Sequence, residues 1–226
     1  MTKVANRIIT AAAAACVAIG AGVMAADNQP GGTTGNQPGN QGNQATGQED
    51  HQRMRQEIQK ADTPDKLFLL GTAMGNQMEI KWAQVAQQKS QNAQVKQVAD
   101  AIVKDHQQLA QDLQKLIEQN GLTTPQHIPP LYDQAIQVLQ AQSGDQFDQC
   151  FLSGVKAAHM ASVSRFEDEA KIARDPAVKQ FASQYLPTLQ AHAQLVQQAA
   201  VAVGLPSGAE AIPAGSRIPA NIGDRK

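Results

Sequence analysis

The sequence predicts an all-α protein, a ferritin-like four-helix bundle with a long crossover, and three observations predict it. No stretch alternates polar and apolar residues with period two, so strands have no support. Four long segments repeat apolar side chains at steps of three and four, the period of a helix with one buried face. The connections between them run short, long, short, which suits two helical hairpins joined by one crossover. An up-down-up-down bundle with a decorated loop is the alternative arrangement.

The chain opens with "MTKVANRIITAAAAACVAIGAGVMAAD", a basic start at Lys3 and Arg7, an apolar stretch, then small residues. This pattern predicts a signal peptide over 1–25, cut after Ala25. A retained N-terminal anchor is the alternative, because the run is about long enough to span a bilayer. Lipoprotein anchoring through Cys16 is less well supported, since Ala13 stands where a large aliphatic residue belongs and apolar sequence continues past the cysteine. The expected location is the periplasm or outer envelope, with no stable membrane span once the signal is removed. Losing Lys3 and Arg7 from 19 basic residues leaves 17 against 20 acids, a formal charge of −3. No basic stripe exists and aromatic residues are few, so nucleic-acid binding has no support. Cys150, the remaining cysteine, reads as a small buried side chain on a helix.

Residues 26–60 are rich in Gly, Asn, Gln and Pro and hold few apolar side chains, so they are expected to form a disordered linker. Over the polar stretch its root-mean-square reach is on the order of 25–30 Å. A flexible tail is expected over 204–226, leaving one bundle domain at 61–203. The first helix is predicted at 64–89, with Thr63 as N-cap and Pro64 at the first helical position. "SQN" ends it, and Asn92 caps the second, 92–120, which stops at Asn120-Gly121. Residues 121–144 form the crossover, where "IPPLYDQAIQVLQA" reads as a short helix on an extended lead. Asp145 is expected to cap the third helix, 145–174, with Asp148 against its positive end. Asp175-Pro176 opens the fourth, 176–203, and Gly204 closes it.

Polar residues interrupt the apolar stripes at one level. The second helix runs Val95, Val98, Ile102, His106, Leu109, Leu113, Leu116. The third offers Phe151, Val155, His159, Ser162, Phe166, and the fourth Ala182, Tyr185, Leu189, His192, Val196. In the first, Glu79 shares a face with Gly75, Trp82 and Ala86. Each of the four polar residues lies near the middle of its helix, so all four are expected to converge in the interior. His51 and His127 fall outside this layer. Pro187 is expected to bend the fourth helix and turn the His192 ring inward.

The blocks "DKLFLLGTAMGNQMEI", "VKQVADAIVKDHQQL", "GDQFDQCFLSGVKAAHMASVSRFEDEA" and "YLPTLQAH" resemble those of exported bacterial domain-of-unknown-function family 4142, often labelled putative outer membrane protein. The similarity covers roughly residues 60–200 and implies a ferritin-like bundle of the cell envelope. It implies no activity, because the family has none established.

Two-metal carboxylate chemistry needs Glu-x-x-His on two helices. Val103 and Leu189 stand at the glutamate positions before His106 and His192, so the carboxylates that bridge two metals are missing and the sequence does not support a diiron site. Three imidazoles and a carboxylate suit instead one zinc, copper or iron ion, held by Glu79, His106, His159 and His192 for sequestration or stress defence. Glu167 of "RFEDEA" is a further candidate ligand, although that run reads first as a solvated face. The alternative is a structural or interaction bundle whose His/Glu layer is a hydrogen-bonded polar core. The sequence identifies no catalytic residue, no reaction and no protein partner.

Overall fold

The computed structural model describes residues 52–126 and 130–205, and among them lie six helices and no strand. Helix α1 covers 52–60. Helix α2, Pro64–Lys89, begins where the Thr63 side chain accepts the Lys66 N–H. Helix α3, Ala93–Gln119, begins where Asn92 accepts from Gln94 and Val95. Helix α4, Pro130–Ala141, is the short helix expected within the crossover. Helix α5 is Gly144–Ile172, and α6, Pro176–Ala202, starts where Asp175 accepts the Ala177 N–H. Each cap satisfies a backbone donor that the first turn leaves without a partner.

Two long helices end on a left-handed glycine. Gly121 and Gly204 take φ of 71° and 80°. The following N–H groups of Leu122 and Leu205 then reach back to the carbonyls of Ile117 and Ala200. A side chain at either glycine would meet the Cβ penalty of that conformation.

Three local expectations are corrected. Helix α5 is capped by Ser143 without a side-chain bond, so Asp145 lies inside the first turn and is not the cap. Asp148 is buried and accepts the Ser90 hydroxyl at 2.7 Å, tying the start of α5 to the α2–α3 corner. Residues 52–60, placed in the linker by composition, are helical. Glu57 holds them by accepting the Thr123 N–H at 2.8 Å, a long-range bond that composition does not encode. The leader, residues 26–51, the tail beyond 205, His51 and His127 lie outside the described residues.

The principal packing pairs are α2 with α3, α3 with α6, α6 with α5, and α5 with α2, with α4 lying on α2 and α5. The core consists of two apolar clusters. One gathers Trp82 and Ala86 of α2, Val95 and Ile102 of α3, Phe151 and Val155 of α5, and Val196 and Ala199 of α6. The other gathers Phe68 and Leu69, Leu109 and Leu113, Phe166, and Phe181 and Leu189 from the same four helices. Burial of these side chains is the main stabilising term, about 1.5–3 kcal/mol for each large one. The indole of Trp82, 1% exposed, packs where α5 carries Gly154. A Cβ there would stand 1.9 Å from Trp82 Cζ3, so no other residue lets these two helices approach as closely. Cys150 is buried in the first cluster.

At the other end Asp65 accepts the Arg174 and Asp175 N–H groups at 2.9 and 2.7 Å, joining the start of α2 to the α5–α6 corner. Helix α6 runs without interruption through Pro187. No helix among the described residues is long and apolar enough to cross a membrane.

Candidate metal centre

The two apolar clusters are separated by a polar layer with one residue from each long helix. Going along α2 the order is Phe68, Glu79, Trp82; along α3 it is Ile102, His106, Leu109. Helix α5 passes from Val155 through His159 to Phe166, and α6 from Leu189 through His192 to Val196. Steps of three and four place each polar residue on the buried stripe of its own helix. All four are buried, with Glu79, His106 and His192 at 3–4% exposure and His159 at 0%.

The three imidazoles form a compact triangle. One ring nitrogen from each of His106, His159 and His192 lies within 4.8 Å of the others. The ring centroids are 5.4 Å apart in all three pairs. Three rings bound to one tetrahedral ion through nitrogens about 2.05 Å away would have centroids about 5.2 Å apart. The ring spacing is therefore close to that of a three-histidine site, with one His106 nitrogen within 4.8 Å of the other two donors.

Hydrogen bonds on the outer nitrogens assign the tautomers. His159 Nδ1 lies 3.1 Å from the Val155 carbonyl oxygen, an acceptor only, so Nδ1 carries the proton. His192 Nε2 lies 2.9 Å from Asp105 Oδ2 and carries the proton there. The inner nitrogens, His159 Nε2 and His192 Nδ1, then both present lone pairs, and they face each other at 3.3 Å. Two donors on a tetrahedral ion stand about 3.3 Å apart. Backbone carbonyl and carboxylate partners on the outer nitrogen are the usual supports of metal-binding histidines.

The rest of the layer has unmet bonding capacity. Glu79 Oε2 stands 3.3 Å from His159 Nδ1 and 3.8 Å from His106 Nε2. Glu79 Oε2, both ring nitrogens of His106 and Asn76 Oδ1 are buried without a hydrogen-bond partner. Each such atom costs about 1–3 kcal/mol, and a domain's whole stability is about 5–15 kcal/mol. Burial also sets the charges. Desolvation raises the Glu79 carboxyl to about 8 and lowers His159 to about 4. It lowers His106 well below the usual histidine range and His192 less, since Asp105 opposes the shift there. At neutral pH the rings are therefore neutral donors and Glu79 holds a proton.

The layer contains every residue that the sequence places in it. Glu167 is not part of it: it faces the surface and accepts from Gln190 at 3.2 Å. Glu169, two residues on and so turned to the opposite side, is the buried member of that run, 7% exposed. Sequence reasoning missed Asp105 and Asn76. Asp105 precedes His106 off the apolar stripe and meets His192 only because α3 packs on α6; the "DH" pair was its one signal. Asn76 donates to the His106 carbonyl at 3.0 Å, linking α2 to α3 beside the site.

The chain belongs to the family described as Domain of unknown function (DUF4142), whose profile matches residues 48–199. No curated protein and no solved structure gives a significant match.

Proposed function

We propose, for this DUF4142 domain, that it holds one transition-metal ion among His106, His159 and His192, with Glu79 as the carboxylate of the site. The observation that carries the reading is the pair of facing lone pairs on His159 Nε2 and His192 Nδ1, 3.3 Å apart. That contact is repulsive between neutral rings and becomes attractive around a cation. Neutral imidazoles with one carboxylate suit zinc, copper or iron, and a divalent ion is balanced in part by Glu79 once it gives up its proton. A bound ion would supply Lewis acidity or, for copper or iron, a redox couple. The chain's own part is to keep the three rings dry, neutral and aimed at one point.

We further propose that the domain is exported, its leader over 1–25 removed, and that the linker tethers it in the periplasm or outer envelope. The role is sequestration or stress defence. A ferritin-like arrangement is supported by the neighbour order of the four long helices. It is also supported by the sequence of apolar clusters: α3 ends in the cluster around Leu109 and α5 starts in the one around Phe151.

A second reading, a hydrogen-bonded polar core, is favoured by the same 3.3 Å spacing, which a shared proton would also satisfy. One experiment separates them. The purified chain is stripped with chelator, then its metal content and melting temperature are measured with each divalent ion. Metal binding predicts about one equivalent of bound ion and a raised Tm, both lost in the triple His→Ala variant. Equal binding by parent and variant, or none by either, refutes the metal site.

A further inference from the structure

The spacing of the rings also sets the angles at which they would hold an ion. In a metal-bound imidazole the ring centroid lies about 3.2 Å from the metal. Two rings aimed at one ion then have centroids about 4.5 Å apart at a right angle and about 6.4 Å apart when opposite each other. At the tetrahedral angle the separation is about 5.2 Å, and at the trigonal angle about 5.5 Å. All three pairs here stand at 5.4 Å. The nitrogens of one pair agree: His159 Nε2 and His192 Nδ1, 3.3 Å apart, subtend about 107° at an ion about 2.05 Å from each. A square-planar or octahedral ion needs such a pair at about 2.9 Å or about 4.1 Å.

Both rings of that pair are held from behind. His159 Nδ1 donates to the Val155 carbonyl of its own helix, and His192 Nε2 donates to Asp105 of α3. Both are buried in a close-packed interior, which opposes a shift of either ring. His106 is the adaptable member. Neither of its ring nitrogens has a partner, so no hydrogen bond has to break for it to close on an ion held by the other two.

The donor types narrow the choice further. The four side chains of the layer offer nitrogen and oxygen. Met78, the buried thioether next to Glu79 in sequence, packs instead on Tyr132 of α4. Cu⁺ is selected by soft sulfur ligands, and Cu²⁺ and Ni²⁺ by square-planar or tetragonal sets of nitrogen and oxygen. Zn²⁺ has no angular preference from its d electrons and takes imidazole and carboxylate in tetrahedral sites.

We propose that the layer is a four-coordinate zinc centre, in which the fixed angle between His159 and His192 works against ions that demand right angles. The proposal rests on the metal reading above and narrows it to a function without redox chemistry, because Zn²⁺ has no redox couple.

The test titrates the chelator-stripped full chain with Zn²⁺, Ni²⁺ and Co²⁺ against a chromophoric chelator. Copper outranks zinc in raw affinity for most such sets, which makes nickel the sharper comparison. Zn²⁺ should bind at least about tenfold more tightly than Ni²⁺. The Co²⁺ form should show the intense visible bands of a four-coordinate ion, and X-ray absorption of the Zn²⁺ form should show a four-coordinate shell of nitrogen and oxygen. Asp105→Ala frees the His192 ring to turn and should reduce the Zn²⁺/Ni²⁺ affinity ratio about threefold or more, beyond any common loss of affinity. Ni²⁺ as tight as Zn²⁺, weak six-coordinate Co²⁺ bands or a six-coordinate zinc shell overturns the zinc assignment and leaves a metal site standing. An affinity ratio unchanged by Asp105→Ala overturns the part given to the held pair. Binding of none of the three ions refutes the metal site itself.

Discussion

Metal binding should release a proton from Glu79 and none from the rings. The carboxyl sits at about 8 because burial strips it of water, a shift that His192 and Arg165 oppose only in part. The rings titrate below neutrality for the same reason, desolvation. At pH 6.5 the metal-free site should therefore hold about one dissociable proton, on Glu79, and an incoming divalent ion should expel it. Titration of Zn²⁺ into chelator-stripped protein, by calorimetry in buffers of different ionisation enthalpy, counts the protons released. The wild type should give about one per ion at pH 6.5 and Glu79→Gln about none. The difference between the two removes any contribution from metal-bound water. From a group at about 8 that difference should fall to about 0.5 at pH 8 and about 0.1 at pH 9. Equal release by both proteins would refute the role of Glu79. Release of two or three protons at pH 6.5 would refute the neutral rings.

Without metal, stability should peak between about pH 6.5 and 7. The raised Glu79 group contributes stability that is full below its unfolded value near 4.5 and is lost as pH climbs through 8. The lowered His106, His159 and His192 contribute stability present above 6.5 and lost as pH falls. Between pH 6.5 and 8 the Glu79 effect amounts to about 2 kcal/mol, and Glu79→Gln should abolish that alkaline decline in Tm. A decline that survives the substitution places its origin elsewhere. Asp105→Ala removes the carboxylate that assigns the His192 tautomer, and metal affinity measured by competition with a chromophoric chelator should drop about 10–100-fold. An unchanged affinity would mean that His192 needs no such support. Gly154→Ala drives a methyl group into Trp82, and the overpacking should cost about 1–3 kcal/mol. That is a Tm loss of roughly 5 °C in a scan, and a rise would contradict the close approach.

Much of this protein is legible along the chain because helices are local objects. Caps at Thr63, Asn92 and Asp175 and the glycines at 121 and 204 mark ends by bonds made within a few residues. The four polar residues were found the same way, since a 3.6-residue period assigns His106, His159, His192 and Glu79 to buried stripes before any packing is known. Their equal height follows because each lies near the middle of a helix of similar length. Other features depend on which helix lies beside which, and local sequence carries little of that. Asp105 matters only because α6 brings His192 to within 2.9 Å of it. Glu57 orders residues 52–60 by a bond to a segment 66 residues away. In the acidic run Glu169 is buried and Glu167 only half-buried, a choice made by the rotation of α5 against its neighbours. Periodicity says that three rings and an acid share the interior; the side-by-side packing of four helices brings one nitrogen of each ring within 4.8 Å of the others, two of them to 3.3 Å, and electrostatics over that distance is what makes them a site.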